Sequence, residues 1–359
     1  MINYSVDNFA NLVDNSNNST VIEVAFYILS IFITCLIFIS LFVMVVVYIE
    51  RKVAAAFQCR VGPNRVGWKG ILQSVADLLK LLTKEKITPL YSDKFLHFIS
   101  PMLCISASFM TLLIVPFSPH IQIINIDMGI LYWSAISSLG ILGILLAGWS
   151  SYNKWSLISA VRAASQLISY ELSIILSILT MIIFTNTLNI QKIVLSQLNG
   201  CWIWRGHVVT LIAFIIFFIA SIAELNKIPF DLPEGESELG AGFHTEYSGM
   251  QFAFFFLAEY VNLFITSTII VILFLGGWLP WHISGFSIFN ELMDSIPPIM
   301  WLLLKVSMII FIIMWIRWTL PRLRIDHLIL LEWKFLLPTS LANMVLASFL
   351  VLNNLYFYV

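Results

Sequence analysis

Residues 21–49 read VIEVAFYILSIFITCLIFISLFVMVVVYI, and after Glu23 none of them is charged. A bilayer core about 30 Å thick needs ~20 helical residues to cross it, so this stretch reads as a membrane span. The pattern recurs to the end of the chain, at Phe95–Pro116, Met128–Trp149, Gln166–Thr187, His207–Ala223, Gln251–Trp278, Ile299–Trp318 and Phe335–Leu352. With 60% hydrophobic and 11% charged residues over 359 positions, the composition lies outside that of ordinary soluble domains. The predicted fold is all-α, a polytopic membrane protein with about eight transmembrane helices. We expect a polar N-terminal segment over 1–20 and a single transmembrane domain over 21–359.

An even number of spans puts both termini on one side. Sixteen of the nineteen Lys and Arg residues fall in or beside the odd-numbered loops; the opposite side holds Lys192 and Arg205, and Lys305 lies inside a span. That asymmetry places the odd loops on the inner side, with the termini facing the periplasm or intermembrane space. The first inner loop, 50–94, contains Trp68, Ile71, Leu72, Val75, Leu79 and Leu82 at helical spacing opposite Lys69, Gln73, Asp77, Lys80 and Lys84. Too short and too charged to cross, this amphipathic helix is expected to lie along the interface.

Several functions find no support. There is no basic tract for nucleic acid. Cys35, Cys59, Cys104 and Cys201 lie far apart without a C-x-x-C pair, so no disulfide framework, zinc site or iron–sulfur motif is expected. The Asn-rich front carries Asp7 and Asp14 and no Lys or Arg in its first twenty residues, unlike a secretory or transit peptide. No glycine-rich dinucleotide fingerprint or phosphate loop occurs, and the six histidines show no pairing that would hold haem. Neither metal, flavin nor NAD is expected on this chain.

Ionisable residues in spans are costly, by roughly 2.5 kcal/mol or more at a helix centre, and each asks for a partner or a job. Glu171 follows Arg162 in span four, Glu259 sits in span six and Lys305 in span seven. Two readings compete for them, an interhelical ion pair that fixes packing and a proton relay of poorly solvated carboxylates. The acidic inner loop, 224–250, sets Glu224, Asp231, Glu234, Glu236, Glu238 and Glu246 against the single cation Lys227. Interleaving with Phe230, Leu232, Leu239, Phe243 and Tyr247 points to a loop folded into the protein rather than a solvated one. Like charges crowded in a partly dry site cannot all ionise, so the set is expected to share protons.

The loop strings carry a resemblance. ERKVAAAFQCRVGPNRVG from Glu50, ADLLKLLTKE from Ala76, GWSSYNK from Gly148, AVRAASQLISYE from Ala160, IPFDLPEGESEL from Ile228, HTEYSG from His244, FFLAEY from Phe255 and RWTLPRLRIDHL from Arg317 are similar, in order, to the loops of the quinone-channel membrane subunit of respiratory complex I. The similarity runs from about span one to the C-terminus. It implies a membrane subunit of a proton-pumping NADH:quinone oxidoreductase that forms the quinone-access chamber together with soluble iron–sulfur subunits. Small membrane subunits next to the antiporter-like arm would be its other neighbours, and lipid quinone the substrate; no catalysis is expected from the isolated chain.

Carried over where the motifs match, the resemblance assigns Arg51, Gln58, Arg60, Arg65, Phe230 and Arg322 to the quinone chamber. It assigns Glu171, Glu224, Asp231, Glu234, Glu236, Glu238 and Glu259 to proton coupling, with Arg162 as a nearby charge partner. Departures from the pattern are Leu225-Asn226-Lys227 for Thr-Asn-Arg, His327 for Gln and Tyr152-Asn153 for Asn-Ser; Lys227 is a point charge where Arg would offer a planar fork. HTEYSG and RWTLPRLR lean toward a bacterial plasma membrane over a mitochondrial inner membrane. Two rival readings are a homologous subunit of a membrane-bound hydrogenase-type complex and a proton-coupled transporter, though the inverted repeats and broken spans of the latter are not evident.

Overall fold

A computed structural model describes residues 18–233, 235, 238, 240–282 and 287–353, with the backbone alone at 18–29, 31–32 and 287–289. Among these, eight helices are long and apolar enough to cross a membrane. In chain order the helices used below are α1 (Asn18–Phe57), α2 (Gln73–Thr83), α3 (Lys94–Leu112), α4 (Gly129–Ser150), α5 (Lys154–Thr185), α6 (His207–Glu224), α7 (Met250–Phe274), α8 (Pro298–Thr319), α9 (Ile325–Leu331) and α10 (Leu337–Leu352). The described segments contain no β-strand, so the all-helical expectation holds.

Two spans are longer than their hydropathy suggests. Helix α1 runs past Ile49 through ERKVAAAF to Phe57, because Arg, Lys and Ala are strong helix formers and nothing in that stretch breaks the ladder. The last span begins at Ile325, ten residues before the apolar run. Its α9 passes through a π-turn at Glu332–Leu336 into α10, and Pro338 lies in the first turn of that helix. Proline has no N–H to give to the ordinary ladder at that point, and the i→i−5 bond from the Leu337 N–H to the Glu332 carbonyl takes up the difference.

Lipid is as apolar as leucine, so helices in a bilayer associate through close packing and polar contacts rather than through a hydrophobic drive. Helices α4 and α5 meet at Gly148, where a Cβ would run into Ala160. Asp93 and Asn153 cap the inner ends of α3 and α5, their side chains accepting from the Phe95 and Trp155 amides at 3.2 and 3.1 Å. Helix α7 is the central post, 78% of its apolar window being buried inside the chain, and it touches α1, α3, α6 and α8. Helix α2 buries none of its residues: Val75, Leu79 and Leu82 are exposed, as an interfacial helix requires. Tyr48 and Arg51 hold it to α1 through the Lys69 carbonyl at 3.0 Å and the Asp77 carboxylate at 2.5 Å.

Lys305 is almost wholly buried and, among the described residues, takes no carboxylate partner. Its ammonium donates to the carbonyls of Leu275, Gly277 and Leu279 at 2.7, 3.1 and 2.7 Å, where α7 ends. Helix C-termini leave carbonyls without intrahelical donors and carry partial negative charge, so the cation supplies both bonds and charge. Carbonyls thus take the place of the interhelical carboxylate that one reading of the sequence expects. Each carbonyl left without a donor costs about 1–3 kcal/mol. Lys305→Met is therefore expected to lower the thermal midpoint of the purified protein clearly, and an unchanged midpoint would mean that other donors reach these carbonyls.

Candidate functional site

The acidic loop is folded into the protein. Asp231, Phe230, Leu232, Phe243 and Tyr247 are buried. Helix α5 supplies the fastenings: the Gln166 amide donates to the carbonyls of Ala223 and Phe230, both at 2.8 Å, Ser159 to that of Pro233 at 2.5 Å and Ser156 to that of Phe243 at 3.0 Å. The loop after α8 joins in, with the Leu323 amide on the Pro229 carbonyl at 3.0 Å. At its far end Tyr247 stacks on His97 with ring centres 4.0 Å apart, and its hydroxyl lies 2.8 Å from Ser100 and 3.2 Å from Ser150. Burial raises the Tyr247 phenol above its ordinary value, the two serine bonds opposing it, so it stays a neutral structural pin.

The described acids of the loop have separate surroundings. Glu238 is more than half exposed and accepts from Arg162 at 2.8 Å, with Arg322 at 3.9 Å. Glu246 accepts from the Asn153 amide at 2.7 Å. Glu224 ends α6, and among the described residues one of its carboxylate oxygens is buried without a hydrogen-bond partner. Arg162 and Glu171, nine residues apart on one helix, are separated by about 13.5 Å of rise. The partner of Arg162 is Glu238, brought in from the loop. Glu234 and Glu236 lie outside the described residues.

Two spaces of different size meet at α7. The larger, a cleft of about 880 Å³, opens at the C-terminal end of α1 and is lined by Glu50, Arg51, Arg60, Arg65, Tyr260 and Arg317, among others. That is the size of a site for an organic molecule. Gln58 is adjacent, its side-chain oxygen accepting from Arg60 at 2.6 Å. Arg322 stands outside the cleft lining, against Gly235 and Glu238, and Phe230 packs edge-on against Tyr170 in the core. The smaller space, about 120 Å³ between α3, α4, α7 and the acidic loop, touches Glu224, Asn226, His244, Glu259 and Asn262. With these polar side chains on its wall, it has room for ordered water.

A line of ionisable side chains runs between these spaces. Arg317 pairs with Glu50, and Tyr260 donates to the other Glu50 oxygen at 2.5 Å. The Lys227 ammonium lies 4.7 Å above the Tyr260 ring and pairs with Glu259, which faces the small cavity. Phe256 lines both spaces. Burial pushes the His244 imidazole below its usual value, with the Glu259 charge opposing, so it is neutral at pH 7 and can both give and accept a hydrogen bond. Sequence reasoning singled out neither Glu50, Tyr260 nor Arg317 for this line, and set His244 aside as structural. Their partners are more than 200 positions away for Glu50, and no local signal marks such a pairing.

Residues 30–348 match the NADH dehydrogenase family. The chain is 49% identical over 336 residues to the H subunit of NADH-quinone oxidoreductase from Bacteroides fragilis, which covers 92% of this chain and 94% of that one. It is 50% identical over 318 residues to the same subunit from Bacteroides thetaiotaomicron, with 89% of both chains covered. To that of Brevibacillus brevis it is 46% identical over 310 residues, 86% of this chain and 89% of the other.

The bond from Arg162 and then the charge of Arg322 hold the Glu238 carboxyl below the usual carboxylate range. A lowered folded value means that the ionised pair contributes in full above the ordinary unfolded value, and is lost as pH falls through the lowered one. Exposure to water and salt keeps the contribution small. Arg162→Gln is expected to speed amide exchange over residues 235–242 at neutral pH, and high salt to have the same effect on the unsubstituted chain; equal exchange in both would remove the pair from the loop's fastening.

Proposed function

The chain belongs to the NADH dehydrogenase family, as a quinone-channel membrane subunit of respiratory complex I, and from that membership we propose that it forms the quinone-access chamber and the first part of the proton-coupling path. The observation that carries the reading is the single line of charged side chains from a ligand-sized cleft at the inner surface to a water-sized cavity between the helices. A quinone has a long apolar tail that needs access from lipid and a head whose reduction builds up negative charge. An amphipathic α2 with Val75, Leu79 and Leu82 exposed, beside Arg51, Arg60 and Arg65, suits both ends of such a molecule.

Reduction adds two electrons and two protons to the quinone. The electrons come from an iron–sulfur cluster of a neighbouring soluble subunit, and this chain supplies shape, charge and protons. The chamber set is Arg51, Gln58, Arg60, Arg65, Phe230 and Arg322. Proton coupling falls to Glu171, Glu224, Asp231, Glu234, Glu236, Glu238 and Glu259, with Arg162 holding Glu238. A change of charge at the cleft acts on the Glu50–Arg317 pair first, then through Tyr260 and Lys227 on Glu259, because opposite charges in a poorly hydrated interior are weakly screened. Glu259 and Glu224 share the small cavity, where a few waters and His244 provide steps for a proton. The membrane is a bacterial plasma membrane, with the termini on the periplasmic side.

Two measurements test the halves separately in assembled, reconstituted enzyme. Arg65→Ala is expected to raise the KM for a short-chain quinone by about tenfold, equivalent to ~1.4 kcal/mol of lost binding, while electron transfer to a hydrophilic acceptor upstream stays unchanged. Glu224→Gln is expected to lower the number of protons moved per NADH and to leave the chain inserted and assembled. Wild-type proton movement in both Glu224→Gln and Glu259→Gln would sink the coupling half. A quinone KM unmoved by Arg51→Ala, Arg60→Ala and Arg65→Ala would sink the other.

A further inference from the structure

Glu332 is the first residue of the π-turn between α9 and α10, and it is fully buried against α5. Ser173 donates its hydroxyl to one carboxylate oxygen, while the other oxygen is buried and has no partner among the described residues. The residues around it tie it to the acidic loop. One turn earlier on α9, the Leu328 carbonyl accepts from Tyr170 at 3.0 Å, and Tyr170 packs edge-on against Phe230 with ring centres 5.6 Å apart. Five residues before Leu328, the Leu323 amide is bonded to Pro229.

Among the described residues no charge offsets this carboxyl. Of the ionisable groups on α5, Tyr170 faces it; Glu171, two residues before Ser173, projects about 200° away around the helix. On its own helix, Asp326 is paired with Arg324 at 2.9 Å at the surface, and His327 and Lys334 are exposed. Where α6 meets α10, the contact is the Asn343 amide on the Val209 carbonyl at 3.0 Å, which carries no charge.

Neither protonation state is satisfied in that setting. The ionised form would be a buried anion without a cation, which costs several kcal/mol even after relaxation. The neutral acid would either hold its O–H on the oxygen that has no acceptor or donate it to the Ser173 hydroxyl, and in both cases the second oxygen stays bare. One buried oxygen is left bare in either form, so a change in the local field acts directly on the balance between them. We propose that Glu332 is a further proton-exchanging residue of this chain, binding and releasing one proton as the charge in the neighbouring chamber changes, and passing the change to the acidic loop through Tyr170. This rests on the reading that the chain couples quinone reduction to proton movement. The step is an acid–base exchange: an O–H bond forms on the unpartnered oxygen from a hydronium ion at the inner surface and breaks again to water, and no electrons change hands.

The test is infrared difference spectroscopy of the assembled, reconstituted complex between its oxidised state and the state reduced by NADH. A component of the protonated-carboxyl stretch is expected to change on reduction, to be lost in Glu332→Gln and to reappear at a shifted frequency in Glu332→Asp. Gln keeps an oxygen to accept from Ser173. Ser173→Ala, which leaves the carboxyl in place, is expected to move the same component without abolishing it, and serves if Glu332→Gln does not assemble. An unaltered set of components in Glu332→Gln, or in Ser173→Ala, alongside a component lost in Glu224→Gln would overturn this inference and leave the proposed function standing. The absence of any carboxyl change in the unsubstituted complex would overturn both.

Discussion

The buried amide of Gln166 joins two carbonyls that would otherwise drift apart, one at the end of α6 and one inside the acidic loop. A carbonyl in the membrane interior must find a donor within the protein, so this one side chain fixes where the loop turns back over the helices. Its neighbours Ser156 and Ser159 repeat the device on the same face of α5. With the loop held there, Glu224 borders the small cavity, Lys227 reaches Glu259, and Glu238 comes within range of both Arg162 and Arg322.

The two spaces differ in size by enough to separate their uses. About 880 Å³ accommodates an organic head group, and about 120 Å³ with carboxylates and amides on its wall suits ordered water. Between them lie paired charges, not free ones. An ion pair that is partly buried is costly to break, because the surviving partner is left uncompensated, yet its balance responds to a new charge nearby. Such a line transmits the arrival of charge without a molecule having to travel along it.

Close packing works together with these polar contacts. Helices α4 and α5 approach at a glycine, α7 ends on the ammonium of Lys305, and the last span takes up Pro338 through a π-turn. That π-turn also sets Glu332 against Ser173. A backbone adjustment required by a proline thus decides the environment of an acid, which no reading of apolar runs reports.

The sequence by itself determined the eight spans, the interfacial helix in the first inner loop and the family, because span length and loop strings are properties of consecutive residues. It also marked most of the costly groups: Glu171, Glu224, Glu259 and Lys305 stand out in apolar surroundings wherever they go. Only the tertiary structure decided what each of them meets. Lys305 proved to be a helix cap and Arg162 the partner of Glu238, while Glu50, read as the first residue of a loop, sits between Arg317 and Tyr260. The physical reason is range: hydropathy is summed along the chain, whereas the state of a charge is set within a few ångströms by groups that can be more than 200 positions away.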